Sequence, residues 1–208
     1  MNSNQYYWTA DDFNLFTIEG LENRMEALQT LVQPKFELLG RRFADLLSAH
    51  GSGEFFPHVA KHARRTVNPP TDSWVAIAPS KRGYKALPHF QIGLWKTHLF
   101  IIIAVIYENP DKKGIAERLE KNTNQLLALP DTFIISGDHM KPDAQCISKE
   151  VLEKLLTRLQ TIKKAEFLVG RHLTKEVAVK MTEEHFLDFA EETIDELLPI
   201  YDIIAGRL

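Results

Sequence analysis

Eight consecutive apolar residues, Leu99-Phe100-Ile101-Ile102-Ile103-Ala104-Val105-Ile106, constrain the fold of this chain more than any other feature. The run is far shorter than the roughly 20 residues a membrane-crossing helix needs. Its β-branched content favours a strand, and a strand apolar on both faces belongs inside a sheet with both sides covered. This strand is expected over His98 to Tyr107. Lys96-Thr97 separates it from an alternating stretch, His89 to Trp95, and the pair fits a tight hairpin without the favoured Asn-Gly chemistry. Alternation puts His89, Gln91 and Trp95 on one face of the earlier strand.

Further strands are expected at Trp74 to Ala78, Thr132 to Ser136 and Glu166 to Leu173. Helices account for most of the rest. Thr9-Ala10-Asp11-Asp12 fits a capping box. Leu21, Met25, Leu28 and Val32 mark an amphipathic helix that stops near Pro34. There a new helix starts, with Phe36, Leu39, Phe43, Leu46 and Leu47 on its apolar face and Gly51-Ser52-Gly53 at its end. One helix is expected through Ile115, Leu119, Leu126 and Leu127, then a loop from Gly137 to Ile147 and a helix capped by Ser148. The last helix begins at Thr182 with Glu183 and Glu184 at the positive end of its dipole, and Pro199 should kink or restart it. The segment from Glu54 to Asp72 suits helix or extended chain equally well.

These elements give an α+β class, a mostly antiparallel sheet flanked by helices in a single domain over 1–208. Its helical N-terminal part spans about 9–50, its sheet-rich middle about 54–136 and its helix-rich C-terminal part about 148–206. A hydrophobic content of 44% and a charged content of 25% are ordinary for a globular protein with a real core. Met1 to Gln5 lacks the basic-then-apolar pattern of a secretory signal. Cys146 is the single cysteine, so no intrachain disulfide forms and a cytoplasmic setting with no membrane is expected. A net charge of −3 argues against nucleic-acid binding through overall charge.

Charge is unevenly placed. From His58 to Lys85 six Lys/Arg stand against one acid, Asp72; that local balance of +5 leaves −8 for the remainder. The glycine-punctuated turn Ser80-Lys81-Arg82-Gly83 can offer backbone N–H groups and fixed charge to an anion. Arg64, Arg65, Arg82 and Lys85 would supply charge, since the planar arginine fork matches phosphate or carboxylate. Tyr84, His89, Gln91 and Trp95 would supply shape and hydrogen bonds. The bland alternative is a solvated hairpin loop whose lysines protect a sheet edge. His58 and His62 stand four apart, but Lys61 beside them and the missing glutamate argue against a metal, and none is expected. No motif calls for a cofactor. Asp138-His139 reads as a polar turn, Cys146 as a small packed residue, and Arg171 as a candidate to join the cationic site.

Two blocks, His58-Val59-Ala60-Lys61-His62-Ala63-Arg64-Arg65-Thr66-Val67-Asn68-Pro69-Pro70 and Arg82-Gly83-Tyr84-Lys85 with Pro88-His89-Phe90-Gln91-Ile92-Gly93-Leu94, resemble the signature of the YktB-like family of uncharacterised bacterial proteins. The resemblance runs from the N-terminal aromatic segment to the last helix. It implies an α+β single-domain fold and cytoplasmic residence, and brings no activity or site residues. On the residues alone, the leading expectation is a binding protein for an anionic small molecule or phosphate-bearing ligand. A phosphate-ester hydrolase or transferase using the same pocket, with His62 or His89 as general acid/base, is the second. A module docking on RNA or an acidic protein is the third. Oligomeric state is not encoded in any readable pattern.

Overall fold

The computed structural model describes residues 6–50 and 53–207. The expectations for Met1 to Gln5 and for Gly51-Ser52 lie outside them. The strands are β1 (Phe56–Val59), β2 (Asp72–Ala78), β3 (His89–Trp95), β4 (His98–Val105), β5 (Phe133–Ser136), β6 (Gln145–Cys146) and β7 (Phe167–Thr174). They form one sheet in the order β1-β2-β3-β4-β7-β5-β6 with every pairing antiparallel. The expected α+β class is the one adopted, and the apolar run occupies the middle strand. β4 pairs with β3 on one side and along its whole length with β7 on the other.

Period-2 alternation sorts the sheet into two different faces. One carries Val75, Ile77, Phe90, Ile92, Ile101, Ile103, Phe133, Phe167 and Val169, buried in one large core with the helices. Helices α3 (Gln33–Ala49), α6 (Lys149–Thr161) and α8 (Glu183–Ala205) contribute Phe36, Phe43, Leu47, Leu152, Leu159, Phe186, Ile194 and Leu197 to it. The smaller helices α1 (Ala10–Asn14), α2 (Leu21–Ala27), α4 (Lys112–Lys121), α5 (Thr123–Leu127) and α7 (Lys175–Ala178) complete the chain. The other face carries a separate, smaller cluster of Trp95, Phe100, Ile102, Ala104 and Leu168, with Ile106 and Trp74 beside it and no helical residue in it.

Local chemistry explains the caps. Thr9 and Asp12 form the expected capping box, and Asp12 also pairs with Lys35 at 2.6 Å. Ser148 and Thr182 accept from Val151 N–H and His185 N–H at the starts of α6 and α8. Gly206, at φ 70°, ends α8 in the left-handed conformation that glycine adopts without strain.

Several expectations are corrected. Pro34 does not end a helix: α2 runs through a π-helical turn, Leu28–Val32, directly into α3, and the wider turn absorbs the missing N–H. Pro199 lies inside α8 without restarting it. The helix expected to run through Leu127 is two, because Asn122 leaves the helical region and its Nδ2 donates to Arg118 O at 2.9 Å. β1 is a strand despite Pro57, tolerated because the strand lies at the sheet edge. Cys146 is exposed on edge strand β6 rather than packed. Arg171 points to the helix side, 4.3 Å over the Phe189 ring and 3.5 Å from Glu192, away from any cationic site.

Candidate functional site

The helix-free face of the sheet is covered by loops instead. The β2–β3 loop lays Tyr84 back over it, with Trp74 Nε1–H donating to Tyr84 Oη at 3.2 Å and the Tyr84 ring 4.7 Å from that of His89. The segment after β5 brings His139 over the same face. Three adjoining hollows result, of about 30, 310 and 610 Å³. The first lies over Trp74, Gln91, Trp95, Phe100 and Ile102, with Asp72 and His172 in its wall. The second is framed by Trp74, Tyr84, Gln91, Tyr107 and Met140. The third runs between the segment after β5 and α6, along Lys154, Arg158 and Lys164. His139 lines all three, and Trp74 and Gln91 join the first two.

Strand geometry makes the floor. Trp74, Gly93, Phe100 and His172 stand side by side across β2, β3, β4 and β7. A Cβ on Gly93 would sit 2.2 Å from Phe100 Cζ, so the phenyl ring lies over the bare glycine. On the next row out, Gln91 is directly opposite Ile102.

The polar groups of this face are oriented by their partners. His89 is fully buried; its Nδ1–H donates to Leu87 O at 2.8 Å, and burial pushes the imidazole down to about 4. Its Nε2 is therefore a bare acceptor, and it takes a hydrogen from Gln91 Nε2 at 2.8 Å. Glu166, at the head of β7 and buried, accepts from Tyr107 N–H at 3.2 Å, His139 N–H at 2.8 Å and His139 Nδ1 at 2.7 Å. Burial pulls the His139 imidazole down, but the hydrogen bond and charge of Glu166 outweigh it and hold the ring above its usual range. Asp72 is buried, and burial pushes its carboxyl up to about 6 against the opposing pull of His139 and Arg65. His172 stacks on His98 at 4.0 Å; burial takes them to about 3 and about 4, with His98 adding to the fall at His172. Among the described residues no three His, Cys, Asp or Glu side chains group to hold a metal ion.

The residues singled out in the sequence part company here. Tyr84, His89, Gln91 and Trp95 share this face, although His89 sits beneath it. The two basic clusters flank β2 at opposite ends. Arg64 and Arg65 follow Ala60, whose N–H donates to Trp74 O, and His62 Nε2 lies 3.0 Å from Ser73 Oγ, both near the start of β2. Lys81 and Arg82 follow the end of that strand, about 20 Å away at 3.3 Å per residue. Arg64 and Arg82 are exposed, Arg65 donates to Asn68 O at 3.3 Å, and Lys85 pairs with Glu108 at 3.3 Å while edging the second hollow. Burial, then Arg65, pushes His62 down to about 4.

Glu166, Trp74, Asp72 and the α6 cations did not stand out in the sequence, and His139 did so only as half of the Asp138-His139 pair read as a polar turn. Lys154 and Arg158 do carry a signal, four apart on one helix face. Among the described residues neither they nor Lys164 has an ion-pair partner.

Residues 8–201 match the model of a family described as a domain of unknown function, DUF1054. The chain belongs to the DUF1054 family. Its relatives include a UPF0637 protein of Lysinibacillus sphaericus, 55% identical over 203 residues and covering 96% of both chains. A UPF0637 protein of Bacillus cereus is 50% identical over 92% of this chain and 94% of its own, and one of Bacillus velezensis is 50% identical over 96% and 97%. The YktB-like family that the sequence resembles is this one. DUF1054 membership places the chain in an uncharacterised bacterial group and leaves its chemistry to be argued from the site. Among the described residues no helix is long and apolar enough to cross a membrane.

Proposed function

We propose that this DUF1054 protein is a cytoplasmic binding protein for a small phosphate-bearing ligand. The anion lies in the α6 groove, and the rest of the ligand reaches over the sheet. The carrying observation is His139, which joins the groove of Lys154, Arg158 and Lys164 to two hollows walled by aromatic side chains. The second and third hollows, about 310 and 610 Å³ with a few convergent polar groups, are of the size in which small ligands bind. Unpaired cations at a groove wall favour an anion, and an imidazole whose protonated form Glu166 favours adds a directed donor. Charge thus comes from α6 rather than from Arg64, Arg65 and Arg82.

A thermal-shift screen of inorganic phosphate, sugar phosphates and nucleotides tests this. At ligand concentrations of about 100 times Kd, native-state binding adds about 2.7 kcal/mol, a melting rise of roughly 5–10 °C in a chain of this size. The rise should vanish in a Lys154→Glu/Arg158→Glu double variant. No shift with any phosphorylated compound contradicts the reading.

The His139–Glu166 dyad favours one second reading, a phosphate-ester hydrolase or transferase in the same groove. An imidazole held by a buried carboxylate is a general acid or base in waiting, whereas both nitrogens of His89 are already engaged. Turnover of a phosphoester panel that disappears in His139→Gln would establish it; inert wild-type protein would remove it.

A further inference from the structure

The oriented amide of Gln91 carries the argument one step beyond an anion site. The carbonyl of Leu87 can only accept, so His89 must place its hydrogen on Nδ1. The bare Nε2 then fixes the Gln91 amide with its nitrogen inward at 2.8 Å. The Gln91 Oε1 has no hydrogen-bond partner among the described residues, and Gln91 lines both sheet hollows. The second hollow is lined by Gln91 together with the flat rings of Trp74, Tyr84 and Tyr107 and by Met140. Tyr107 and Met140 are 45% and 55% exposed, a rim of apolar surface around a polar floor. Because Trp74 Nε1–H donates to the Tyr84 oxygen, the Tyr84 hydroxyl hydrogen is left to donate in turn.

We infer that the ligand's second part is a flat heteroaromatic ring of the nucleobase class, held against Trp74 and Tyr84, with an N–H donated to Gln91 Oε1. Its phosphate then lies past His139 in the α6 groove, so this assignment rests on the anion reading above. A site built around a polar group rejects a ligand lacking the complementary donor, because the buried acceptor is left unpaired. His89 is a positioning residue: it touches no ligand and decides which end of the amide the ligand meets.

Isothermal titration of the wild-type protein separates the two readings. The probes are inorganic phosphate, ribose 5-phosphate, phenyl phosphate and the common nucleoside 5′-monophosphates. The tightest nucleotide is then repeated with its ring N–H methylated. At least one nucleotide should bind about tenfold or more tightly than ribose 5-phosphate and phenyl phosphate, and methylation should abolish that advantage. Gln91→Leu, close in volume, should lose the preference while keeping the affinity for ribose 5-phosphate. Ribose 5-phosphate or phenyl phosphate binding as tightly as every nucleotide overturns the ring assignment and leaves the anion site standing. A methylated base that binds undiminished also overturns it. Binding of none of these compounds overturns both.

Discussion

Burial holds the Asp72 carboxyl near pH 6, against an ordinary value of 3.8, because the residue lies at the start of β2 with its oxygens in a hollow rather than in bulk water. The folded state therefore gains from the protonated form. That contribution is complete in acid below about pH 4 and is lost as pH rises through about 6. Asp72→Asn should raise stability at neutral pH by about 1–3 kcal/mol and change it little below pH 4, as read from urea unfolding at both pH values. Equal effects at both would show that the carboxylate is not desolvated. His89 gives a second check at this scale. Its ring should stay neutral with hydrogen on Nδ1 until the pH falls to about 4. Nitrogen-15 chemical shifts of the imidazole report this; an Nε2–H tautomer, or titration near 6.5, would contradict the Gln91 orientation. Alternation alone placed His89, Gln91 and Trp95 on one side of β3, and they are there. His139 looked like part of a turn because its partner, Glu166, is 27 residues away and no local spacing announces it.

Among the elements, β3 and β4 depend on one small residue. Gly93→Ala drives a methyl into the Phe100 ring, which is buried and lines the first hollow. The cost should be about 1–3 kcal/mol, and Phe100→Leu in the same chain should recover much of it. A neutral Gly93→Ala in thermal unfolding would mean that the ring has room to move. Ser148→Ala, which removes the α6 cap beside the groove, should cost about 1 kcal/mol. Elements whose own residues set them were readable: the β4 apolar run, the Thr9, Ser148 and Thr182 caps, and the acidic start of α8. Those set by tertiary context were not. β1 contains a proline and becomes a strand because β2 offers it an edge, and the π-helical turn before Pro34 is a compromise between two helices that the sequence marks only as a break.

For the whole molecule, four imidazoles, those of His62, His89, His98 and His172, are held at about 3–4 chiefly by burial. The unfolded chain takes up their protons near 6.5, so their contribution is present above that value and is lost as pH falls toward 4. Asp72, raised to about 6, works in the opposite sense over this range, whereas the raised His139 gains its contribution only as pH falls to about 6.5, so the net loss below that is smaller than four proton equivalents. Stability should fall between about pH 6.5 and 4 by roughly 1.4 kcal/mol per pH unit for each net proton; a urea midpoint that is flat or rises over that range would contradict the burial pattern. At this scale the sequence revealed segregated charge but not its arrangement, since the same net balance is compatible with clusters that meet or with clusters parted by the length of β2. The proposed anion groove instead draws cations from α6, which reads as an ordinary amphipathic helix. A nitrogen–proton correlation spectrum recorded during titration with a nucleoside 5′-monophosphate tests the account most directly. The Trp74 indole, the His139 ring and the amides around Lys154 and Arg158 should shift together with one affinity. Shifts confined to the Arg64–Arg65 turn or the Lys81–Lys85 loop, or none at all, would contradict it.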